Sequence, residues 1–213
     1  MTLPDTGRDA WTKVERQVLE RLDRPERVQQ FLDGITYNDD KQCRSPRRVL
    51  RDRRAHCMEG AMFAAAALRY HGFGCRLLDM LAVRDDDHVI ALFQEHGCWG
   101  AVAKSNFTGL RFREPVYRSL RELVMSYFES YFNVVQEKTL RGYSRPVDLS
   151  HFDAIGWRTT EADLDQPIGS YLTARPHIPL LTKAMIRSLG NTDARSFEAA
   201  MVGCNPAGLY QVT

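Results

Sequence analysis

The strongest periodic pattern in the chain lies between residues 54 and 70, where apolar positions recur at helical spacing. Counting from Cys57, residues 61, 64, 65 and 68 are apolar and fall on one face of a helix. The four alanines at 64–67 have high helix propensity and allow a neighbouring element to approach closely. Gly72 follows the last periodic residue and is a common helix stop. The pattern predicts a central helix that begins near Cys57 and ends near Tyr70.

Further helical patterns lie on both sides of this central helix. Residues 10–34 contain two amphipathic segments separated by a turn, and Ser45-Pro46 has the form of an N-cap followed by proline at the first helical position. Residues 117–133 carry an aromatic stripe, which predicts a long helix whose aromatic face is either core or a contact between subunits. Two more helices are predicted over 180–189 and 194–202.

Short apolar runs between these helices predict strands. Residues 75–83 form one run, and residues 88–93 and 98–103 flank a glycine-containing turn in the manner of a β-hairpin. A further strand is expected over 138–144. Short connections favour an antiparallel sheet, so the predicted class is α+β, with the central helix packed on that sheet. We expect one domain over 1–213, with a core at about 35–145, a helical N-terminal elaboration at 10–34 and a loop-rich, helical C-terminal elaboration at 146–213.

Composition narrows the function classes. The 213 residues are 44% hydrophobic and 26% charged with a net charge of +2, which fits a soluble globular protein and gives no case for nucleic-acid or membrane binding. The N-terminal stretch lacks the layout of a signal peptide, and the five cysteines are scattered without CxxC spacing. We therefore expect a cytoplasmic protein with neither disulfides nor a metal, and no cofactor.

Cys57 is the residue that brings chemistry to the central helix. The first turn of a helix presents unpaired N–H groups and the positive end of the macrodipole, which favour a thiolate. A lone cysteine there is more commonly a small core residue. The catalytic interpretation gains weight because His88 opens a strand about thirty residues later and the return strand ends in Lys104-Ser105-Asn106. A thiol nucleophile needs such a base, and the base needs a third group that orients it.

The hairpin turn decides which residue orients His88. A two-residue turn at His96-Gly97 places His88 opposite Ser105, whereas a three-residue loop places it opposite Asn106. Asn106 is the better partner chemically, because its amide oxygen can accept a hydrogen bond from the imidazole. The sequence leaves both residues open.

These residues resemble the transglutaminase-like superfamily over about residues 45–106. The shared features are a cysteine opening an alanine-rich helix, a strand, an acidic loop, a histidine opening the next strand, and Trp99 on the return strand. The chain departs from the family in the third catalytic position, since an aspartate usually follows the tryptophan and this sequence has Ser105 and Asn106 instead. The resemblance implies a papain-like site with Cys57 as nucleophile, His88 as general base and acid, and Asn106 as orienting residue.

The activity implied by this resemblance is acyl transfer or amide hydrolysis through an acyl-enzyme, with an amide, peptide or thioester substrate. The N–H of Cys57 itself is an expected oxyanion donor, and Gln42 or Asn38, upstream of the nucleophile, could add a side-chain donor. The aspartates at 85–87 are expected to form a solvated turn and to favour the imidazolium form of His88. The alternative function is a catalytically inactive binding or scaffolding module. Either protein could form a homo-oligomer through the aromatic helix at 117–133.

Overall fold

A computed structural model describes residues 7–212; the first six residues, which belong to the N-terminal stretch considered above, and Thr213 lie outside the described range. The fold combines helices with a seven-stranded sheet in the order β6-β5-β4-β3-β7-β9, in which β8 also pairs with β3. Every pairing in this sheet is antiparallel. The α+β class and the antiparallel sheet are therefore confirmed.

The elements follow one another in a mixed order. The strands are β1 (Thr36–Tyr37), β2 (Arg54–Ala55), β3 (Arg76–Ala82), β4 (His88–Glu95), β5 (Cys98–Val102), β6 (Arg113–Tyr117), β7 (Leu140–Ser144), β8 (Val147–Asp148) and β9 (His177–Pro179). The helices are α1 (Lys13–Leu19), α2 (Pro25–Asp33), α3 (Pro46–Asp52), α4 (Cys57–Tyr70), α5 (Leu120–Met125), α6 (Ser170–Thr173), α7 (Lys183–Arg187) and α8 (Ala194–Ala200).

The predicted central helix is α4, and it is buried along nearly its whole length. Its residues share one hydrophobic core with Leu77, Val89, Ala91 and Phe93 of the sheet. The residues that alternate with these on β3 and β4 face the other way and pack against α5, in a second core. The sheet is therefore covered on both faces, with α4 on one face and α5 on the other.

The β4–β5 hairpin settles the turn that the sequence left open. Glu95 pairs with Cys98, so His96 and Gly97 alone form the turn, and both have positive φ, 51° and 77°. That geometry is typical of a type I′ hairpin. The ladder continues only as far as the pair Ala91–Val102, so the residues after Val102 leave the sheet before they come opposite His88.

The long aromatic helix predicted over 117–133 is wrong. Residues 113–117 form the edge strand β6, α5 covers only Leu120–Met125, and a short 3-10 turn follows at Phe128–Ser130. Its aromatic side chains are in the core: Tyr127 and Tyr131 are 0% and 1% exposed. The chain bends because its side chains bind backbone groups on different sides. The Ser126 hydroxyl donates to the Leu123 carbonyl oxygen, whereas the Tyr131 hydroxyl donates to the carbonyl oxygens of Met80 and Asp86. No exposed aromatic helix face is left for an oligomer contact among the described residues 117–133.

Several smaller expectations can be compared with the structure. The N-cap at Ser45 is present, with its Oγ accepting from the Arg48 N–H, and the strand predicted over 138–144 is β7. Strand β9 was not predicted, because its three residues lie among prolines in a loop-rich stretch. Within residues 7–212, no helix combines the length and apolar character that crossing a bilayer requires.

Candidate functional site

A cavity of about 440 Å³ lies where the N-terminus of α4 meets the start of β4. It brings together five of the six candidate site residues from the sequence, all except Gln42: Asn38, Cys57, His88, Ser105 and Asn106. The remaining lining comes from Tyr37, residues 39–40, His56, the aspartates at 85–87, Tyr131 and residues 207–210, with Phe107 and Leu110. Sequence positions more than 150 residues apart thus share one concave surface, as ligand sites commonly do.

Cys57 is the first residue of α4, as predicted. His56 is the N-cap residue, and its backbone N–H donates to the carboxylate of Glu59 in the first turn at 2.8 Å. The backbone N–H groups of Met58 and Val89 lie near enough to the sulfur to lower its pKa, and its own S–H faces the carbonyl oxygen of Asp87 at 3.9 Å. The Cys57 sulfur therefore contacts the backbone on both sides of His88.

Burial decides the protonation state of this thiol. It raises the pKa of Cys57 to about 12, outweighing the two backbone N–H groups that lower it, and the charge of Asp86 raises it further. The helix N-terminus alone would have favoured a thiolate. At neutral pH the resting protein therefore carries Cys57 as a neutral thiol.

His88 is 95% buried and has a defined ring orientation. Its Nε2 lies 2.8 Å from the carbonyl oxygen of Leu110, which can only accept, so Nε2 carries the proton and Nδ1 is the basic nitrogen. Burial lowers the pKa of His88 to about 4. The aspartates at 85–87 were expected to favour an imidazolium, but desolvation outweighs the Leu110 hydrogen bond that raises the pKa of His88, and the charge of Arg113 lowers that pKa further.

The alternation of side chains along β4 determines the face of the sheet on which His88 lies. Its side chain has the parity of Ile90 and Leu92, on the face that packs against α5, and its ring lies 6.4 Å from that of Tyr131. Cys57 approaches from the α4 face. Nucleophile and base thus reach the cavity from the two sides of the sheet end, and no hydrogen bond joins the sulfur to the imidazole in the described part of the chain.

Asn106 and Ser105 line the cavity, but neither contacts His88. The Asn106 amide pairs reciprocally with Asn205: Nδ2 donates to the Asn205 carbonyl oxygen and Oδ1 accepts from the Asn205 N–H, both at 2.8 Å. Ser105 Oγ accepts from the Phe107 N–H at 3.0 Å. The Leu110 carbonyl occupies the orienting position for which Asn106 was predicted, because the chain has left the ladder after Val102 and returns past His88 at Leu110.

The two residues considered as oxyanion donors are also engaged elsewhere. Gln42 is exposed, lies outside the cavity and accepts from Arg48 at 2.7 Å through Oε1. Asn38 lines the cavity, but its Nδ2 donates to Glu59 at 3.0 Å and to Asp40 at 3.2 Å. The Asn38 amide therefore has both N–H groups engaged, and the Gln42 amide lies outside the cavity.

A buried polar network explains why Asn38 is held in this way. The Glu59 side chain is fully buried and accepts from the Arg44 backbone N–H at 2.7 Å and from the Arg44 guanidinium at 3.2 Å. Arg44 also contacts Asp40, and this pairing holds the pKa of the Asp40 carboxyl well below its usual range. The segment before the nucleophile is thus fixed to the first turn of α4 by charge-assisted hydrogen bonds.

The aspartates at 85–87 are shared between the fold and the cavity. Asp85 accepts from the Thr139 hydroxyl at 2.7 Å, and Asp87 accepts from the Ala82 N–H at 2.7 Å. Burial raises the pKa of all three carboxyls, that of Asp85 to about 6. In the range 7–212, no cluster of three or more His, Cys, Asp or Glu side chains is placed to hold a metal ion.

Sequence reasoning missed three parts of the site. These are Tyr37, the Leu110 carbonyl, and the segment 205–210 that crosses one side of the cavity. Tyr37 directly precedes Asn38, which was considered from the sequence as an oxyanion donor. The Tyr37 phenol could have been considered as a donor on the same grounds. A backbone carbonyl leaves no sequence signal, and nothing in residues 205–210 points to a partner about a hundred residues away.

Comparison of the sequence with protein families finds no family that matches, and no curated protein matches it. The resemblance to the transglutaminase-like superfamily accordingly rests on the sequence pattern alone.

Proposed function

We propose that this protein carries out thiol-dependent acyl transfer or amide hydrolysis through an acyl-enzyme on Cys57, on a transglutaminase-like core. The observation that carries the proposal is the position of Cys57: its sulfur lies at the start of α4, near two backbone N–H groups, and opens onto a cavity that His88 also lines. The substrate class is an amide, peptide or thioester. The proposed location is the cytoplasm, where thiols stay reduced.

Both reacting groups are neutral in the resting protein, so the mechanism is general-base catalysis rather than attack by a preformed thiolate. As the sulfur attacks the substrate carbonyl carbon, the thiol proton passes to Nδ1 of His88. The carbon–nitrogen bond of the amide then breaks and the imidazolium returns that proton to the leaving amine. Water or an amine attacks the thioester in the second half, loses its proton to His88, and Cys57 leaves as the thiol.

The Met58 and Val89 N–H groups fit this sequence of steps. They already face the sulfur and stabilise the negative charge that it gains while the proton leaves. The Leu110 carbonyl keeps Nε2 protonated, which holds Nδ1 in the basic form required of the proton acceptor.

The proposal is tested with p-nitrophenyl acetate as acyl donor and peptide mass spectrometry as the readout. Cys57 should acetylate faster than Cys98, a half-buried cysteine at the opposite end of β4. Cys57→Ala should remove this modification, Cys98→Ser should leave it intact, and His88→Asn should slow it about a hundredfold. The wild-type rate should be flat from about pH 5 to about pH 8, whereas an unassisted thiol reacts about tenfold faster per pH unit. Equal acetylation rates for Cys57 and Cys98 would contradict the proposed enzymatic function.

A second function is favoured by one observation. The sulfur and the imidazole are not hydrogen-bonded to each other within the described residues, and each is engaged by backbone groups instead. This arrangement suits a catalytically inactive module that uses the cavity to bind a ligand. Absence of any acyl adduct on Cys57, together with a ligand that protects Cys57 from iodoacetamide, would favour that function.

A further inference from the structure

Tyr37 contributes a phenol to the cavity that no other residue engages. Its backbone is well held, since its carbonyl oxygen accepts from Asn205 Nδ2 at 3.4 Å. One face of its ring lies against Gly208, where an added Cβ would come within 2.8 Å of Cδ1 and Cε1. The hydroxyl group itself has no hydrogen-bond partner among residues 7–212. Tyr37 is only partly buried and lines the cavity, so this hydroxyl is available to a ligand there.

The β1–β2 pairing places Tyr37 beside the nucleophile. Tyr37 is in register with Ala55 in a parallel pair, two residues before Cys57, and both Tyr37 and Cys57 line the cavity. Burial raises the pKa of Tyr37 well above its usual value, and the proximity of Cys57 raises it further. The phenol therefore keeps its proton throughout the neutral range and acts as a donor.

Several of the other polar groups around the cavity are already engaged. Tyr131 donates to the Asp86 carbonyl oxygen at 2.8 Å, and the Asn38 and Asn106 amides are fixed as described above. The third phenol of the lining, Tyr210, comes from the C-terminal segment. The Met58 and Val89 N–H groups face the sulfur rather than the space beside it. The Cys57 N–H, at the first position of α4, can supply one hydrogen bond to a substrate carbonyl oxygen that gains negative charge there, and a second donor has to come from the cavity wall.

We propose that the Tyr37 hydroxyl donates a hydrogen bond to the carbonyl oxygen of the acyl substrate and stabilises the oxyanion that forms when Cys57 attacks. This inference rests on the proposed function and deepens it. Because no bond to Tyr37 forms or breaks, the phenol keeps its proton through the reaction. Tyr37 is then a catalytic residue that was not foreseen, positioned by β1 before the helix and by Gly208 from the C-terminal side.

Two reactions of Cys57 separate oxyanion stabilisation from thiol reactivity. Acetylation by p-nitrophenyl acetate passes through an oxyanion, whereas alkylation by iodoacetamide is a direct displacement and does not. The variant is Tyr37→Phe, and Tyr131→Phe is the matched control, since its hydroxyl faces backbone carbonyls. Tyr37→Phe should slow acetylation about a hundredfold, the usual loss for one oxyanion donor, and leave alkylation unchanged. Tyr131→Phe should keep the acetylation-to-alkylation ratio of the wild type.

Each outcome has one meaning. Unchanged acetylation in Tyr37→Phe, with wild-type Cys57 still acetylated preferentially, overturns the role of Tyr37 but not the proposed function. An equal loss of acetylation and alkylation also overturns it, because Tyr37 then acts on the thiol or on access to it. Wild-type Cys57 that alkylates but does not acetylate overturns the proposed function itself.

Discussion

The two walls of the cavity are held in place by different kinds of interaction. The first wall, residues 37–44 with Glu59, contains a buried carboxylate, a buried guanidinium and Asn38, which is 2% exposed. The second wall, residues 205–210, is half-exposed and is fixed to the sheet side mainly by the paired amides of Asn106 and Asn205. One wall therefore depends on charges that cannot be left unpaired, and the other on two neutral hydrogen bonds.

This difference predicts how each wall responds to mutation. Removing one partner of a buried ion pair leaves the other charge unpaired and costs far more than removing a neutral hydrogen bond. We expect the first wall to be lost only when the whole domain unfolds. The second wall should open locally, since local openings have lower free energies where few buried contacts oppose them. The cavity is thus rigid upstream of Cys57 and adjustable on the C-terminal side.

The largest effect is expected for Glu59→Ala. This change leaves the Arg44 guanidinium with only its partly exposed partners Asp40 and Asp52, and it removes the acceptor of the Asn38 amide and of the Arg44 and His56 backbone N–H groups. It should lower the free energy of unfolding by about 3–5 kcal/mol in urea denaturation. The matched control is Glu161→Ala, which breaks an exposed pair with Arg51 and should cost at most about 1 kcal/mol. Similar losses in the two variants would show that the first wall is not held by its buried charge.

The next largest effect is a loss of folding stability on acidification, caused by the buried His88 between the two walls. The folded state keeps His88 neutral down to about pH 4, while in the unfolded chain the imidazole binds a proton near its ordinary pKa of 6.5. As the pH falls through that window, the unfolded state gains protons first, so folding stability is lost. Between neutral pH and about pH 4, the wild type should lose about 3 kcal/mol more free energy of unfolding than His88→Asn, which has no imidazole to protonate.

That difference between two proteins is the quantity to measure, by urea denaturation at several pH values. The aspartates at 85–87 have raised pKa values and act with the opposite sign, adding stability on acidification, but they are present in both proteins and cancel. Parallel stability curves for wild type and His88→Asn would contradict the buried neutral histidine.

A smaller global effect is expected at the second wall. Asn106→Ala removes both hydrogen bonds to Asn205 and should cost about 1–2 kcal/mol, expressed mainly as faster amide hydrogen exchange over residues 203–210. Ser105→Ala is the neighbouring control and should leave exchange there unchanged, because its hydroxyl contacts Phe107. Unchanged exchange in Asn106→Ala would mean that other contacts hold the segment.

The sequence predicted the parts of this molecule that depend on local periodicity. Helix α4 begins at Cys57 as expected because its cap and alanine run lie within the same few residues, and the hairpin was readable from alternation around a glycine turn. The aromatic stretch at 117–133 misled because its side chains fit a helical pattern yet pack around two bends. Tertiary contacts overrode helix propensity there.

The site was predicted only in part, for a related reason. Cys57 and His88 each begin an element, so their positions follow from local pattern. The partner of His88 depends on where the ladder ends, and Leu110 reaches the imidazole through a backbone atom. The protonation states depend on burial, and burial at the cavity is created by segments distant in sequence, such as 205–210.

Both edges of the seven-stranded sheet carry proline. Strand β6 has Pro115 at its centre, preceded by the charged residues Arg113 and Glu114, and β9 ends at Pro179. A proline has no N–H to offer an incoming strand, and edge charges are costly to bury, so neither edge is a good template for pairing with another chain. The sheet that supports the cysteine site is in this way protected against growth into aggregates, at no expense to its interior.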